Sequence, residues 1–166
     1  MWTCYTLLDT ELGQIGLVGS SLGLRRIVLP QPSPGAVLQR IMEGFPGAIA
    51  DPAPFGALPQ RLRRYLKGEH VSFGDKLDLT GASPFRHAVW EATRAIPYGE
   101  TQSYGRIAQQ IGKPKAQRAV GQALAKNPLP IVVPCHRVIG KDGSLTGFEG
   151  GLEMKKCLLE IEASSR

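Results

Sequence analysis

Residues 134–137 read Pro-Cys-His-Arg, and they follow the β-branched apolar run Ile131–Val133. A buried segment thus ends by delivering a thiol, Cys135, beside a base, His136, and a permanent cation, Arg137. The thiolate is the reactive form of cysteine, and a neighbouring base or positive charge lowers its ordinary pKa of about 8.5. This is the setting of a nucleophile. The other two thiols read differently. Cys4 alternates within a strand pattern and Cys157 falls in the last apolar helix, so both are expected as small core residues.

Adjacency restricts how Cys135 and His136 can cooperate. Successive side chains oppose each other on a strand and diverge by about 100° on a helix, so a direct hydrogen bond between them is difficult. A bridging water removes the difficulty, provided that a carboxylate behind the imidazole fixes its tautomer. The terminal segment LEMKKCLLEIE offers Glu153, Glu160 and Glu162 for that position.

Charge points to the partner. The 166 residues carry 20 Lys+Arg against 14 Asp+Glu, a net +6, and the excess is concentrated. Over 94–141 the basic residues Arg94, Arg106, Lys113, Lys115, Arg118, Lys126, Arg137 and Lys141 face only Glu100. Each Lys or Arg set on a phosphate releases condensed counterions, so such a segment favours a polyanion, most simply nucleic acid. The same stretch, TQSYGRIAQQIGKPKAQRAVGQALAKN, splits into helices near 103–111 and 115–125 around Gly112-Lys113-Pro114. Helix, short Gly-containing turn and basic second helix form the helix-turn-helix pattern.

The remaining elements must carry these groups. TCYTLLDT, QIGLVGS and LRRIVL read as a β-meander, AVLQRIMEGF as a helix, 51–59 as a Pro-rich loop and LPQRLRRYLKGE as an amphipathic helix ended by Gly68. VSFGDKLDL at 71–79 alternates as a short strand. After Thr80-Gly81-Ala82-Ser83 the periodicity becomes helical. Ser83 and Pro84 open a helix whose buried stripe is Phe85, Val89, Trp90 and Ile96, and Pro97-Tyr98-Gly99 stops it. The expected fold is α/β: a supporting α/β domain over 1–80, a β-meander plus helices, then a mostly helical domain over 81–166 containing the helix-turn-helix.

With these pieces in place, the chain resembles the O6-alkylguanine-DNA alkyltransferases (methylated-DNA–protein-cysteine methyltransferases). IPYGETQSYGRIA at 96–108, KAQRAVGQALAKNPLPIVVPCHRVIG at 115–140 and GGLEMKKCLLEIE at 150–162 carry the resemblance, and DTELGQIGLVGSSLGL extends it loosely into the first half. The resemblance implies repair by direct reversal: duplex DNA is bound, O6-alkylguanine is flipped out, and the alkyl group passes irreversibly to Cys135 in one turnover. His136 becomes the base acting through water and Glu162 the carboxylate behind it. Asn127 braces the turn before the active-site loop, and Tyr104 turns the target phosphate and donates toward guanine N3. Arg118 fills the space left by the flipped base. Val138, Phe148, Glu149 and Gly150 resemble the pocket wall, and the basic segment itself offers Lys113, Lys115, Lys126 and Arg137 as further DNA contacts. Phe148 stands where many members have tyrosine and Glu149 where some have serine. O4-alkylthymine is a further candidate substrate.

No cofactor is called for. Three cysteines without a CxxC spacing and three scattered histidines, His70, His87 and His136, suggest neither a disulfide framework nor a metal site. The longest apolar run is far below the roughly 20 residues that cross a bilayer, and the N-terminus lacks a basic and apolar leader, so a cytoplasmic, monomeric protein is expected. Two other readings compete on the residues alone: a Cys-His hydrolase or thiol-redox protein, and a non-catalytic helix-turn-helix regulator or thiol sensor. The first leaves the basic helices unexplained, and neither accounts for the whole Pro-Cys-His-Arg context.

Overall fold

The computed structural model describes residues 2–145 and 150–164. The chain divides into two compact units, 1–79 and 80–166.

In the first unit β1 (Thr3–Thr10), β2 (Gly13–Ser20) and β3 (Gly23–Gln31) form an antiparallel meander. The turns between them put Gly13 and Gly23 at φ of +130° and +142°, where a Cβ would press on the Gln31 and Lys76 carbonyl oxygens. A fourth strand, β4 (Ile49–Ala50), adds in parallel to β1, giving the order β3-β2-β1-β4. Helix α1 (Pro34–Gly44), capped by Ser33, packs Val37 and Ile41 against Val18 and Val28. Helix α2 (Leu58–Leu66) buries Leu58, Leu62, Tyr65 and Leu66.

The two-residue β4 carries too little alternation to be visible in sequence. Conversely, 71–79 is not a strand: it meets the sheet only through an isolated bridge between Leu77 and Leu24. Leu24 N–H donates to Lys76 O at 2.9 Å and Asp78 N–H to Leu24 O at 2.8 Å. The alternation has another origin, since its inward side chains find separate anchors. Phe73 meets the Tyr65 ring edge-on and Asp75 takes both terminal nitrogens of Arg61, while Asp78, buried out of that phase, accepts from Ser20 Oγ.

The second unit holds helices α3 (Pro84–Arg94), α4 (Tyr104–Gln110), α5 (Gln117–Ala125) and α6 (Leu152–Ser164). Ser83 Oγ accepts from Arg86 N–H at 3.2 Å, an N-cap of the kind that contributes about 1 kcal/mol. Val89, Trp90 and Ile96 are buried, but Phe85 is only half-buried. At the start of α3 it lines a surface cleft with Arg86, Gln122 and Lys126. Trp90 Nε1 donates to Ala123 O at 2.9 Å and so pins α3 to α5. Between α4 and α5, Gly112 takes φ +78°, and a Cβ on Gly105 would lie 3.2 Å from the Gln117 side chain, so the two helices approach closely. The short β5 (Gln102–Ser103) pairs in parallel with β6 (Val138–Ile139). Among the described residues no helix is long and apolar enough to cross a membrane.

Candidate active site

The nucleophile candidate owes its place to a buried, tightly turned segment. Asn127 is buried, accepts from Leu129 N–H and donates from Nδ2 to Val133 O, both at 2.9 Å, closing the loop upon itself. Inside that loop Ile131 takes φ +79°, a costly conformation for a β-branched residue, and its buried side chain holds it there. Pro134, at φ −79° and ψ 66°, forms an inverse γ-turn in which Cys135 N–H donates to Val133 O at 2.7 Å. Cys135–Arg137 then form one 3-10 turn, and Val138 enters β6. Because β6 pairs with β5, Gln102 opposite Val138 and Ser103 opposite Ile139, and α4 starts directly after β5, Tyr104 is set down close to the segment that follows Cys135.

Of the three carboxylates in the last helix, Glu153 and Glu160 are exposed and Glu162 is buried. Glu162 Oε2 lies 2.5 Å from Nε2 of the fully buried His136. The same carboxylate accepts Arg137 Nε on Oε1 at 2.9 Å, Arg137 Nη2 on Oε2 at 3.1 Å and Gly99 N–H on Oε1 at 3.0 Å. A carboxylate so occupied is acceptor-only, so Nε2 carries the imidazole proton and Nδ1 holds the lone pair. Burial pushes the His136 pKa below its ordinary value. Glu162 works against that shift, and the Arg137 and Lys155 cations reinforce it. His136 is therefore held toward its neutral form at neutral pH.

Arg137, expected among the exposed basic residues, is instead turned into the protein. Its side chain is buried, its third contact is Nη1 to Ile96 O at 2.7 Å, and its guanidinium lies 5.6 Å from the Tyr98 ring. The remaining basic candidates, Lys113, Lys115, Arg118 and Lys126, are all exposed along α5 and the turn before it. Cys4 is buried, whereas Cys157 is half-buried because it lies off the inward face of α6. Gly150 is exposed, and Phe148 and Glu149 lie outside the described residues. Among the described residues no group of three or more His, Cys, Asp or Glu is placed to hold a metal ion.

One group of the site is not evident from local sequence. Lys155 is fully buried, donates from Nζ to Val138 O at 2.7 Å and to Tyr104 Oη at 3.4 Å, and stands 5.7 Å from the Tyr104 ring. A lysine in a polar helix reads as solvated. Its signal is the spacing Lys155, Leu158, Glu162, which places two charges on one helical face around a buried leucine. On its other side Tyr104 lies 3.8 Å from where a Cβ on Gly121 would stand, so a small residue in α5 makes room for the ring.

A protein of Mycolicibacterium paratuberculosis, the methylated-DNA–protein-cysteine methyltransferase, is 44% identical over 158 residues, spanning 95% of this chain and 91% of that protein. The chain belongs to the methylated-DNA–protein-cysteine methyltransferase family. Residues 84–164 match the family model of the 6-O-methylguanine DNA methyltransferase DNA-binding domain, which takes in the helix-turn-helix, the Cys135 turn and Glu162. The family's protein from Methanosarcina acetivorans is 40% identical over 160 residues, covering 96% of this chain and 98% of its own. Among solved structures, Mycobacterium tuberculosis OGT in complex with DNA superposes with a TM-score of 0.81 at 42% identity, over 97% of this chain and 93% of that one. The methyltransferase resemblance therefore extends through both units.

Proposed function

We propose that the protein repairs DNA by direct reversal, transferring the alkyl group of O6-alkylguanine in duplex DNA to its own Cys135. The single observation that carries this is the Cys135-His136-Glu162 array, set in a methyltransferase-family chain next to an exposed basic helix-turn-helix. On this reading 80–166 binds DNA and performs the transfer, 1–79 supports it, and the protein acts as a monomer.

The alkyl group lies within the base stack, so the nucleotide is rotated out, at a cost of a few kcal/mol. Arg118, exposed on the first turn of α5, fills the gap, and Lys113, Lys115 and Lys126 hold the backbone. Successive side chains of a 3-10 turn diverge by about 120°, so the Cys135 proton passes through a water to His136 Nδ1. The thiolate attacks the alkyl carbon in line. A C–S bond forms, the C–O6 bond breaks, and its electron pair goes to the guanine. Tyr104 donates a proton to N3 of the departing base, and the Lys155 ammonium 3.4 Å from its hydroxyl stabilises the charge left behind. Val138 and Gly150 contribute to the pocket wall. The product thioether has no good leaving group, so each molecule reacts once. A reaction that consumes a free thiol suits a reducing compartment, which supports a cytoplasmic location.

Mixed with a duplex containing one O6-methylguanine, the intact protein is expected to gain the mass of one methyl group, mapped to Cys135 by peptide sequencing. Cys135→Ala gains nothing yet still retards the duplex. Turnover beyond one equivalent, or label on Cys4 or Cys157, contradicts the reading.

A further inference from the structure

We propose that Arg137 is a positioning residue for alkyl transfer: by holding Glu162 with two hydrogen bonds, it lets that carboxylate orient His136 without charging it. The inference rests on the reading of His136 as the base that takes the Cys135 proton.

A buried imidazole hydrogen-bonded to a lone carboxylate is drawn toward imidazolium, because an opposite charge at such close range favours the protonated ring. An imidazolium has no lone pair to offer a thiol. The relay needs a carboxylate that fixes the tautomer while its charge is taken up elsewhere. Arg137 provides this. Nε and Nη2 meet Oε1 and Oε2 at 2.9 and 3.1 Å, while Nη1 on Ile96 O at 2.7 Å and the ring of Tyr98 hold the guanidinium in plane. A guanidinium keeps its proton in any folded protein, so Glu162 stays neutralised across the working pH range.

The charged groups acting on His136 are Glu162 and Lys155, both from α6, and Arg137 from its own turn. The loop after α3 adds the Tyr98 phenol and the Gly99 N–H. Two cations thus oppose one carboxylate, in the same direction as burial. Removing the Arg137 charge therefore raises the pH below which His136 is protonated, and transfer fails from the acid side first. A phosphate contact is not available to a side chain enclosed in this way.

The test is the pH dependence of single-turnover methyl transfer from a duplex with one O6-methylguanine, measured for the unaltered protein, Arg137→Lys and Arg137→Met. Arg137→Met is expected to show its acid limb about one pH unit above that of the unaltered protein, so that its rate declines at a pH where the parental rate is still on its plateau, while the two rates converge on the alkaline side. Arg137→Lys keeps the charge and leaves the limb near its original place. Ring nitrogen chemical shifts of His136 in the unaltered protein give a readout independent of any variant's folding, and they are expected to show the neutral Nε2–H tautomer at pH 7. An imidazolium at pH 7, or an Arg137→Met rate lowered by one constant factor at every pH, overturns the proposal. Absence of transfer by the unaltered protein overturns the functional reading, and this inference with it.

Discussion

Arg118→Ala is expected to repair duplex O6-methylguanine about 30- to 100-fold more slowly than the parent, yet to react with the free base O6-methylguanine at nearly the parental rate. The factor corresponds to about 2–3 kcal/mol, the scale of unstacking one nucleotide. Arg118 is exposed on the first turn of α5, so its truncation is expected to leave the fold intact. Acting only as a phosphate contact, it would weaken binding to all DNA evenly and lower the salt slope by about one. A residue that occupies the vacated stack matters only when a base has left a duplex. The ratio of duplex to free-base rates isolates that role. Lys113→Ala and Lys115→Ala, both exposed in the turn before α5, serve as controls that change salt-dependent binding more than this ratio. Equal proportional losses on the two substrates exclude the stacking role.

Glu162→Gln is expected to damage stability and chemistry together. The substitution preserves shape but leaves the Arg137 guanidinium buried without its counter-charge, and it offers an amide N–H to donors already on Arg137, His136 and Gly99. Breaking a buried pair from one side costs about 3–5 kcal/mol. For a unit of this size that lowers the melting temperature by on the order of 15 °C, readable by circular dichroism. Loss of an oriented base adds roughly a hundredfold to the transfer time when measured cold enough for the variant to remain folded. A melting temperature within about 2 °C of the parent would mean that the network does not hold the active-site turn.

Much of the site was legible because its signals are local. Cys135 and His136 are chain neighbours, Ser83-Pro84 opens a helix by capping chemistry, and the basic run around Gly112 marks two helices by periodicity and charge. What escaped the sequence depends on where a helix face or a turn points. Arg137 reads as one more basic residue until the 3-10 turn directs it inward to Glu162. Lys155 reads as solvated until β6 brings the Val138 carbonyl to its ammonium. In the first unit, 71–79 alternates as a strand does, yet its inward groups meet an aromatic ring, an arginine and a serine in place of a continuous partner strand. Period-two spacing reports which side is buried, not which hydrogen bonds the backbone makes.

Lys155 and Lys156 are adjacent in the chain and opposite in surroundings, the first sealed beneath Tyr104 and Val138, the second open to solvent. Their amines are chemical twins, so an acylating reagent distinguishes them only by access. Lys156 is marked at the reagent's own pace, whereas Lys155 is marked only during excursions in which α6 lifts from the unit. The ratio of the two marks on a single peptide is thus a built-in clock for the opening of the helix that carries Glu162, and it needs no substitution.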